Sequence, residues 1–154
     1  MQAHELSQVI AQADKATNEE DFDSLMTFYA SDATLVVKPG KEAVGVEAIR
    51  KACVAIADYF DHTLQVTQRD MVVIEGGDAA LVLARTHVAA TLKGGVPYDV
   101  ERRATYVFRR GGSHGWQCVI DNSYGTELLA GPGSEGHLSP MPPASPSGVA
   151  PPRR

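Results

Sequence analysis

The second half of the chain contains four β-rich segments separated by glycine turns, and this pattern constrains the fold most. The segments cover about 63–75, 79–92, 97–109 and 116–123. The turns contain Gly76-Gly77-Asp78, Gly94-Gly95 and the glycines of 111–115. β-branched and aromatic residues favour strands, and glycine at these intervals favours hairpins. The pattern therefore predicts four antiparallel strands joined by short turns.

The first sixty residues show helical periodicity instead. One apolar stripe has three- and four-residue spacing and consists of Leu6, Val9, Ile10, Ala13 and Ala16. Such spacing predicts an amphipathic helix. Asp21 is placed to cap a second, short helix that begins at Phe22, and apolar spacing predicts a third helix over about 46–60.

Between the second and third helices, 33–37 predicts a short strand and 38–45, which includes Pro39 and Gly40, predicts a loop. Helices that precede an antiparallel run of strands are typical of an α+β domain, with the helices on one face of the sheet.

The composition changes sharply after residue 130. The segment 131–154 is rich in Pro, Gly and Ser and offers little apolar area to offset its ordering entropy, so it is predicted to be a disordered tail. The rest has enough apolar content for one core. We therefore expect one domain over 1–130.

Charge and the N-terminal residues bear on partners and location. Lys plus Arg total 14 against 19 Asp plus Glu, and the net charge of -5 argues against nucleic acid or an anionic membrane as partner. The first residues lack a signal-peptide pattern, and no apolar run approaches the ~20 residues of a membrane span. A cytoplasmic location follows as the default expectation.

Motifs at both ends of the domain carry a family resemblance. Asn18-Glu-Glu-Asp-Phe-Asp-Ser-Leu, Tyr29-Ala-Ser-Asp-Ala-Thr and Gly45-Val-Glu-Ala-Ile-Arg50 open it, and Gly115-Trp116-Gln-Cys-Val-Ile followed by Asp121-Asn-Ser-Tyr-Gly-Thr126 closes it. Together, over about residues 3–129, they resemble the SnoaL-like and ketosteroid isomerase-like members of the nuclear transport factor 2-like superfamily. The resemblance implies a cystatin-like cone, in which three helices pack on a curved mixed or antiparallel sheet around an apolar pocket.

The resemblance also tests for one known chemistry. Aligned on ketosteroid isomerase, its catalytic Tyr and two Asp positions fall at Ala13, at about Val37 and at about Ala104. None of these can act as a base or an oxyanion donor, so steroid isomerisation by that mechanism is rejected.

Strand alternation, with Trp116 placed on the concave face as the resemblance suggests, gives a set of candidate pocket residues. The set on the last strand is Trp116, Cys118, Ile120 and Asn122. The set on the second β-rich segment is Leu81, Leu83, Arg85 and His87. The set on the third is Tyr98, Val100, Arg102, Ala104, Tyr106 and Phe108. Tyr29 and Tyr124 are further aromatic candidates for the pocket or the core.

Arg85 and His87 are the sharpest candidates, as a ligand-binding pair in which His87 could also act as acid or base. The expected ligand is a small, mainly apolar molecule with an oxyanion or carbonyl group. A register slip of one residue would instead turn Arg85 and His87 outward and bring Thr86 and Val88 into the pocket.

Two functions remain open at this stage. One is a cofactor-independent isomerase, cyclase or hydrolase with His87 as acid or base and Arg85 or Asn122 steadying an oxyanion. The other is a binding module without catalysis. No phosphate loop, dinucleotide fingerprint or nucleophile elbow is present, so no cofactor is expected.

The cysteines, His62 and the outer face of the sheet are predicted to have structural roles. Cys53 and Cys118 lie among apolar neighbours and are predicted to be buried free thiols. His62, near Asp58 and Asp61, lacks paired metal-ligand spacing, so no metal is expected. A homodimer through the outer face of the sheet is expected, from the family analogy and from the mixed outer set Thr105, Val107, Val119 and Asp121.

Overall fold

The computed structural model describes residues 4–111 and 115–130, and the first of these parts begins with three helices and two strands. They are α1 (Glu5–Glu19), α2 (Phe22–Met26), β1 (Tyr29–Lys38), β2 (Lys41–Val44) and α3 (Val46–Tyr59). The elements that follow are β3 (Gln65–Gly76), β4 (Ala79–Thr91), β5 (Pro97–Arg110), β6 (Trp116–Asn122) and a 3₁₀ helix (Gly125–Ala130). The three predicted helices and four predicted strands are confirmed. The predicted disordered tail, 131–154, lies outside the described residues.

The helices form where the apolar periodicity places them. The buried side of α1 consists of Leu6, Ile10, Ala13 and Ala16, which pack into the core. The α2 helix begins after Asp21, whose carboxylate accepts a 3.3 Å hydrogen bond from the backbone N–H of Ser24, as predicted for an N-cap. The chain enters the sheet directly after this short helix.

The six strands form one mixed sheet in the order β2-β1-β6-β5-β4-β3. The run from β3 to β6 is antiparallel, as predicted, whereas β1 lies parallel to β6. The prediction of a loop over 38–45 is wrong in part, because Lys41–Val44 pairs with β1 as the second arm of a hairpin. Gly40, with φ of 85°, lies in the connecting turn.

The inner face of β4 is the opposite of the one predicted. Ala80, Val82, Ala84 and Thr86 are buried against the helices, whereas Leu81, Leu83 and Arg85 are exposed. The reason is that Ala79–Ala84 is apolar at every position, so alternation in this stretch does not indicate which set of side chains faces the core. On β5 the predicted set is correct, since Tyr98, Arg102, Ala104, Tyr106 and Phe108 are all buried.

A β-bulge in β6 reverses its alternation. Phe108 pairs with Cys118, but the preceding Val107 pairs with Ile120, which leaves Val119 as an extra residue. Trp116 and Cys118 are therefore buried as predicted, but Ile120 is 41% exposed. The side chain of Asp121 turns inward instead, so its predicted place on the outer face is wrong.

Large apolar side chains remain exposed on the outer face of the sheet. Paired positions across four strands bring together Val72 with Leu83, Ile74 with Leu81, Leu81 with Val107, and Val107 with Ile120. We call the exposed members of this set the outer patch: Val72, Ile74, Leu81, Leu83 and Ile120. None of the helices within the described part of the chain is long and apolar enough to cross a membrane.

Candidate functional site

A cavity of about 160 Å³ lies between the helices and the inner face of the sheet. Most of its wall is apolar and includes Phe22, Leu25, Leu35, Ile56, Phe60 and Val88. The polar side chains in the wall include Asp14, Tyr29, Thr86, Arg102, Tyr106 and Asp121. A largely apolar cavity with a few convergent polar groups is the usual form of a small-molecule site.

Asp121 and Tyr29 form a direct polar contact in the cavity wall. The Tyr29 hydroxyl donates a 2.7 Å hydrogen bond to Asp121 Oδ2. Tyr29 begins β1 and Asp121 is near the end of the neighbouring β6, so the bulge in β6 is what brings the carboxylate to this hydroxyl. Tyr106 lies directly opposite Asp121 on β5.

Asp14 supplies a second carboxylate from α1. Gln68 on β3 donates a 2.9 Å hydrogen bond to Asp14 Oδ2, and its amide oxygen accepts a 3.1 Å hydrogen bond from Thr86. Gln68 is thus held between a donor and an acceptor, which fixes its orientation. This chain of hydrogen bonds connects α1 to β3 and β4.

Burial shifts the acidity of both carboxyl groups. Desolvation raises the pKa of Asp121 from 3.8 to about 6, against the opposing effect of the Tyr29 hydrogen bond. Desolvation also raises the pKa of Asp14 to about 7, opposed by the Gln68 hydrogen bond and assisted by the charge of Asp121. Near neutral pH, Asp14 is therefore the more readily protonated of the two carboxyl groups.

Arg102 lies toward the other end of the cavity. It is buried on the inner face of β5, where its Nη2 donates a 3.1 Å hydrogen bond to the Tyr98 hydroxyl. Its guanidinium carbon is 4.6 Å from the centre of the Tyr124 ring. Four residues of extended strand separate Arg102 from Tyr106, or roughly 13 Å. The two aromatic residues that hold the guanidinium, Tyr98 and Tyr124, are not among the residues that line the cavity.

Three of the predicted ligand-binding residues line this cavity, namely Tyr29, Arg102 and Tyr106. Arg85 and His87 do not, so their predicted place in the pocket is wrong. Arg85 is half exposed and its Nε lies 3.4 Å from Asp70 and 3.8 Å from Glu101. His87 contacts Asp99 at 2.9 Å. The alternative register, with Thr86 and Val88 inward, is the one observed.

The remaining candidates lie outside the cavity wall. Trp116 is buried, and the guanidinium of Arg110 lies 4.1 Å from its ring. The Asn122 side chain donates to Thr105 and to the Gly125 carbonyl, and it accepts a hydrogen bond from the Tyr124 backbone. These contacts fix the turn after β6, which is a structural role.

The sequence predictions missed the two carboxylates. Asp14 follows Ile10 by four residues, and a charge at that spacing on an apolar helical stripe was a usable signal. Asp121 gave no such signal, because the bulge that turns it inward depends on pairing with β5. Both residues lie within or beside segments whose secondary structure was predicted correctly.

The two cysteines, both predicted to be buried, differ in exposure. Both are free thiols, and Cys118 is buried as predicted, whereas Cys53 is only partly buried and lines the cavity. Desolvation raises the pKa of Cys53 to about 12. His62 Nδ1 lies 3.0 Å from the Glu20 carboxylate. The described residues contain no group of three or more His, Cys, Asp or Glu arranged to hold a metal ion.

Solved structures with the same fold include three informative neighbours. A Salmonella enterica protein of the nuclear transport factor 2-like superfamily has a TM-score of 0.68 at 14% identity, over 77% of this chain and 86% of its own. A cystatin-like protein from Nostoc punctiforme has a TM-score of 0.63 at 16% identity, over 75% and 84%. A Catenulispora acidiphila protein in complex with S-DNPA has a TM-score of 0.66 at 17% identity, over 82% and 95%.

These neighbours identify only the fold, because their sequences are too different from this one to indicate a shared function. No curated protein matches this chain. A family model for the SnoaL-like domain matches residues 6–120, from the first buried residue of α1 to the bulged strand β6. With its helices packed on a six-stranded mixed sheet of the cystatin-like fold, the chain belongs to the SnoaL-like domain family.

Proposed function

We propose that this domain binds a small, mainly apolar molecule and transfers a proton on it, with Asp121 as the acid–base group. The observation that carries the proposal is the Tyr29 hydroxyl donating to a carboxylate that faces an apolar cavity. A carboxylate in this setting is a stronger base than one in water, and substrate that fills the cavity excludes water from it.

The two carboxyl groups divide the work. Ionised Asp121 removes a proton from a carbon next to a carbonyl group, and the electron pair moves to the carbonyl oxygen. Protonated Asp14 donates its proton to that oxygen, which gives a neutral enol. In an unsaturated ketone the product of these steps is a dienol, and protonated Asp121 returns its proton to the far carbon of that dienol. Asp14 takes back the proton of the enol hydroxyl at the same time, so the carbonyl reforms and both carboxyl groups return to their starting forms. Two carboxyl groups of different acidity in one site are the usual arrangement for such paired acid–base roles.

Binding without chemistry is the second candidate. It is favoured by Ala13, Val37 and Ala104, because the isomerase-like positions hold buried apolar side chains and not catalytic groups. A neighbour of the same fold, from Catenulispora acidiphila, was solved in complex with S-DNPA. Both candidates use the same cavity and differ only in what Asp121 does.

Hydrogen–deuterium exchange separates the two candidates. Cyclohexanone and phenylacetone are small enough for the cavity, and NMR in D₂O follows the loss of their α-protons. Exchange faster than in buffer, reduced at least a hundredfold by Asp121→Asn, supports the proposal. If the ketones bind without faster exchange, or if Asp121→Asn exchanges them as fast as the parent, proton transfer at Asp121 is wrong.

A further inference from the structure

Gln68 contacts Asp14 from outside the cavity wall. Gln68 lines a separate groove between α1 and β3, whereas Asp14 lines both this groove and the cavity. The amide nitrogen of Gln68 donates a 2.9 Å hydrogen bond to Asp14 Oδ2, which is the only hydrogen bond to the Asp14 side chain within the described residues. Gln68 therefore acts on a ligand in the cavity through Asp14 and does not touch it.

A β-bulge in β3 turns Gln68 inward. Gln68 and Asp70 pair with consecutive residues of β4, which leaves Arg69 as an extra residue. Met71, beyond the bulge, packs against the core, so unbroken alternation would point Arg69 inward. The bulge thus places a neutral amide, and not a cation, beside Asp14. Bulges that re-aim one side chain in this way are common next to functional sites.

Thr86 holds the opposite end of the Gln68 amide. Thr86 is 4% exposed, and its hydroxyl donates a 3.1 Å hydrogen bond to Gln68 Oε1. An ionised carboxylate only accepts hydrogen bonds, so Asp14 requires the nitrogen of the amide on its side. The donor at Thr86 and the acceptor at Asp14 therefore favour the same orientation of Gln68.

The hydrogen bond from Gln68 distinguishes the two oxygens of Asp14. In a protonated carboxyl group, one oxygen carries the proton and the carbonyl oxygen is the better acceptor. Because Oδ2 accepts from the amide, the proton of Asp14 is directed to Oδ1. Oδ1 is then the atom that donates to a ligand in the cavity.

The other groups near Asp14 act on its charge and do not select one of its oxygens. Burial raises the pKa of Asp14 to about 7, the Gln68 hydrogen bond opposes this rise, and the charge of Asp121 on β6 adds to it. Tyr106 on β5 stays neutral, because burial raises its pKa well above the ordinary value. Lys15, next to Asp14 on α1, forms its ion pair with the following turn of the same helix.

We propose that Gln68, oriented by Thr86, is a positioning residue that holds Asp14 through Oδ2 and keeps the proton of Asp14 on Oδ1 for the ligand. This inference deepens the proposed function and rests on it, because it takes Asp14 as the proton donor to the ligand oxygen. It adds a residue to the reaction that lies outside the cavity.

A titration without ligand tests the contact between Gln68 and Asp14. ¹³C NMR of labelled aspartate carboxyl groups follows Asp14, with Asp14→Asn to assign its resonance. In Gln68→Met the donor is lost, so we expect the pKa of Asp14 to rise by about one unit or more. Thr86→Val should cause a smaller rise, and Thr86→Ser, which keeps the hydroxyl, should leave the parent value. Gln65→Met is the matched control, because Gln65 is exposed on the same strand.

The rate of ketone exchange tests the position of the proton. Gln68→Glu keeps the shape of the side chain but accepts where the amide donates, so it draws the proton of Asp14 to Oδ2. We expect this variant to exchange cyclohexanone at least tenfold more slowly than Gln68→Met at pH 6.5, with KM unchanged in both. In Gln68→Met the alkaline limb of the pH profile should move upward together with the pKa of Asp14, which a purely structural role would not produce.

Several outcomes overturn the inference. They are an unchanged pKa of Asp14 in Gln68→Met, an equal rise in Gln65→Met, or equal exchange rates in Gln68→Glu and Gln68→Met. If Gln68→Met does not fold, as judged by its melting curve, Thr86→Val and Thr86→Ser decide the question from the other end of the amide. A parent that exchanges no ketone refutes the proposed function, whereas the titration still decides whether Gln68 holds Asp14, so the two failures are distinguishable.

Discussion

The Tyr29 hydroxyl and the Asp121 carboxylate, 2.7 Å apart, connect the neighbouring strands β1 and β6 in the wall of the cavity. The hydrogen bond stabilises the ionised form of Asp121, while burial favours the protonated form. The balance leaves the pKa of Asp121 at about 6, within reach of neutral pH. The acidity of this carboxyl therefore depends on one hydroxyl group that mutation can remove.

Removing that hydroxyl should make Asp121 a weaker acid. In Tyr29→Phe the stabilising donor is lost and desolvation remains, so we expect the pKa of Asp121 to rise by about one unit. A ¹³C NMR titration of labelled aspartate carboxyl groups measures the shift, with Asp121→Asn to assign the resonance. Tyr59→Phe, which alters a tyrosine of α3 outside the cavity wall, is the control and should leave the titration unchanged.

The two buried carboxyl groups should make stability fall as the pH rises. Their folded pKa values, about 6 and about 7, exceed the ordinary value of 3.8, so the folded state binds more protons than the unfolded state in this range. The free energy of unfolding therefore declines between about pH 4 and pH 7, and the loss is complete above the folded pKa values.

Asp121→Asn should reverse part of this loss. Near pH 8 the variant no longer buries a charge, and we expect its melting temperature to exceed that of the parent by on the order of 5 °C. Near pH 4 the two proteins should melt alike, because Asp121 is then protonated. Asp78→Asn, at an exposed position in the turn between β3 and β4, serves as the control. The account would be contradicted if the gain in melting temperature of Asp121→Asn over the parent were larger at pH 4 than at pH 8.

Local features of the sequence were enough to predict the elements but not the side chains that line the cavity. Apolar spacing and the Asp21 cap located the helices, and the glycines at 76–77 and 94–95 located two turns. These signals act over a few residues, so they are readable without knowing the sheet order.

The orientation of the strands depends on contacts that are distant in sequence. The residues that precede Arg85 on β4 are all apolar and could face either side of the sheet. The helices pack on the smaller side chains, Ala80, Val82 and Ala84, so Arg85 lies on the outer face with Leu81 and Leu83. Asp121 faces inward because of the bulge at Val119. Neither fact is encoded in a short segment, and so the predicted site centred on Arg85 and His87 was placed on the wrong face.

Gly125 should be intolerant of any side chain. Its φ is 57°, and a Cβ there would overlap the backbone carbonyl oxygen of Arg103. Gly125→Ala should lower the free energy of unfolding by about 2–4 kcal/mol, from strain and from displacement of β5. Gly95→Ala has a positive φ but open space around it, so it should cost only about 1 kcal/mol. Urea titration compares the two, and equal losses would contradict the overlap.

The outer patch should be the interface of a homodimer. Five large apolar side chains on one face are more than an isolated domain usually exposes together. Arg85 and Arg103 lie at one end of this face beside Asp70 and Glu101, so two copies related by a two-fold axis can pair opposite charges. A second copy of the chain is therefore the partner that fits both the apolar and the charged parts.

Val72→Glu should break this dimer. Val72 is 56% exposed within the outer patch, and a glutamate there would bury an unpaired charge against the partner, so we expect association to weaken at least a hundredfold. Val96→Glu is the matched control, because Val96 is 53% exposed in the turn between β4 and β5, away from the patch. Light scattering at micromolar concentration should give a dimer for the parent and for Val96→Glu, and a monomer for Val72→Glu. A monomeric parent, or equal dissociation of the two variants, rules out an interface at this face.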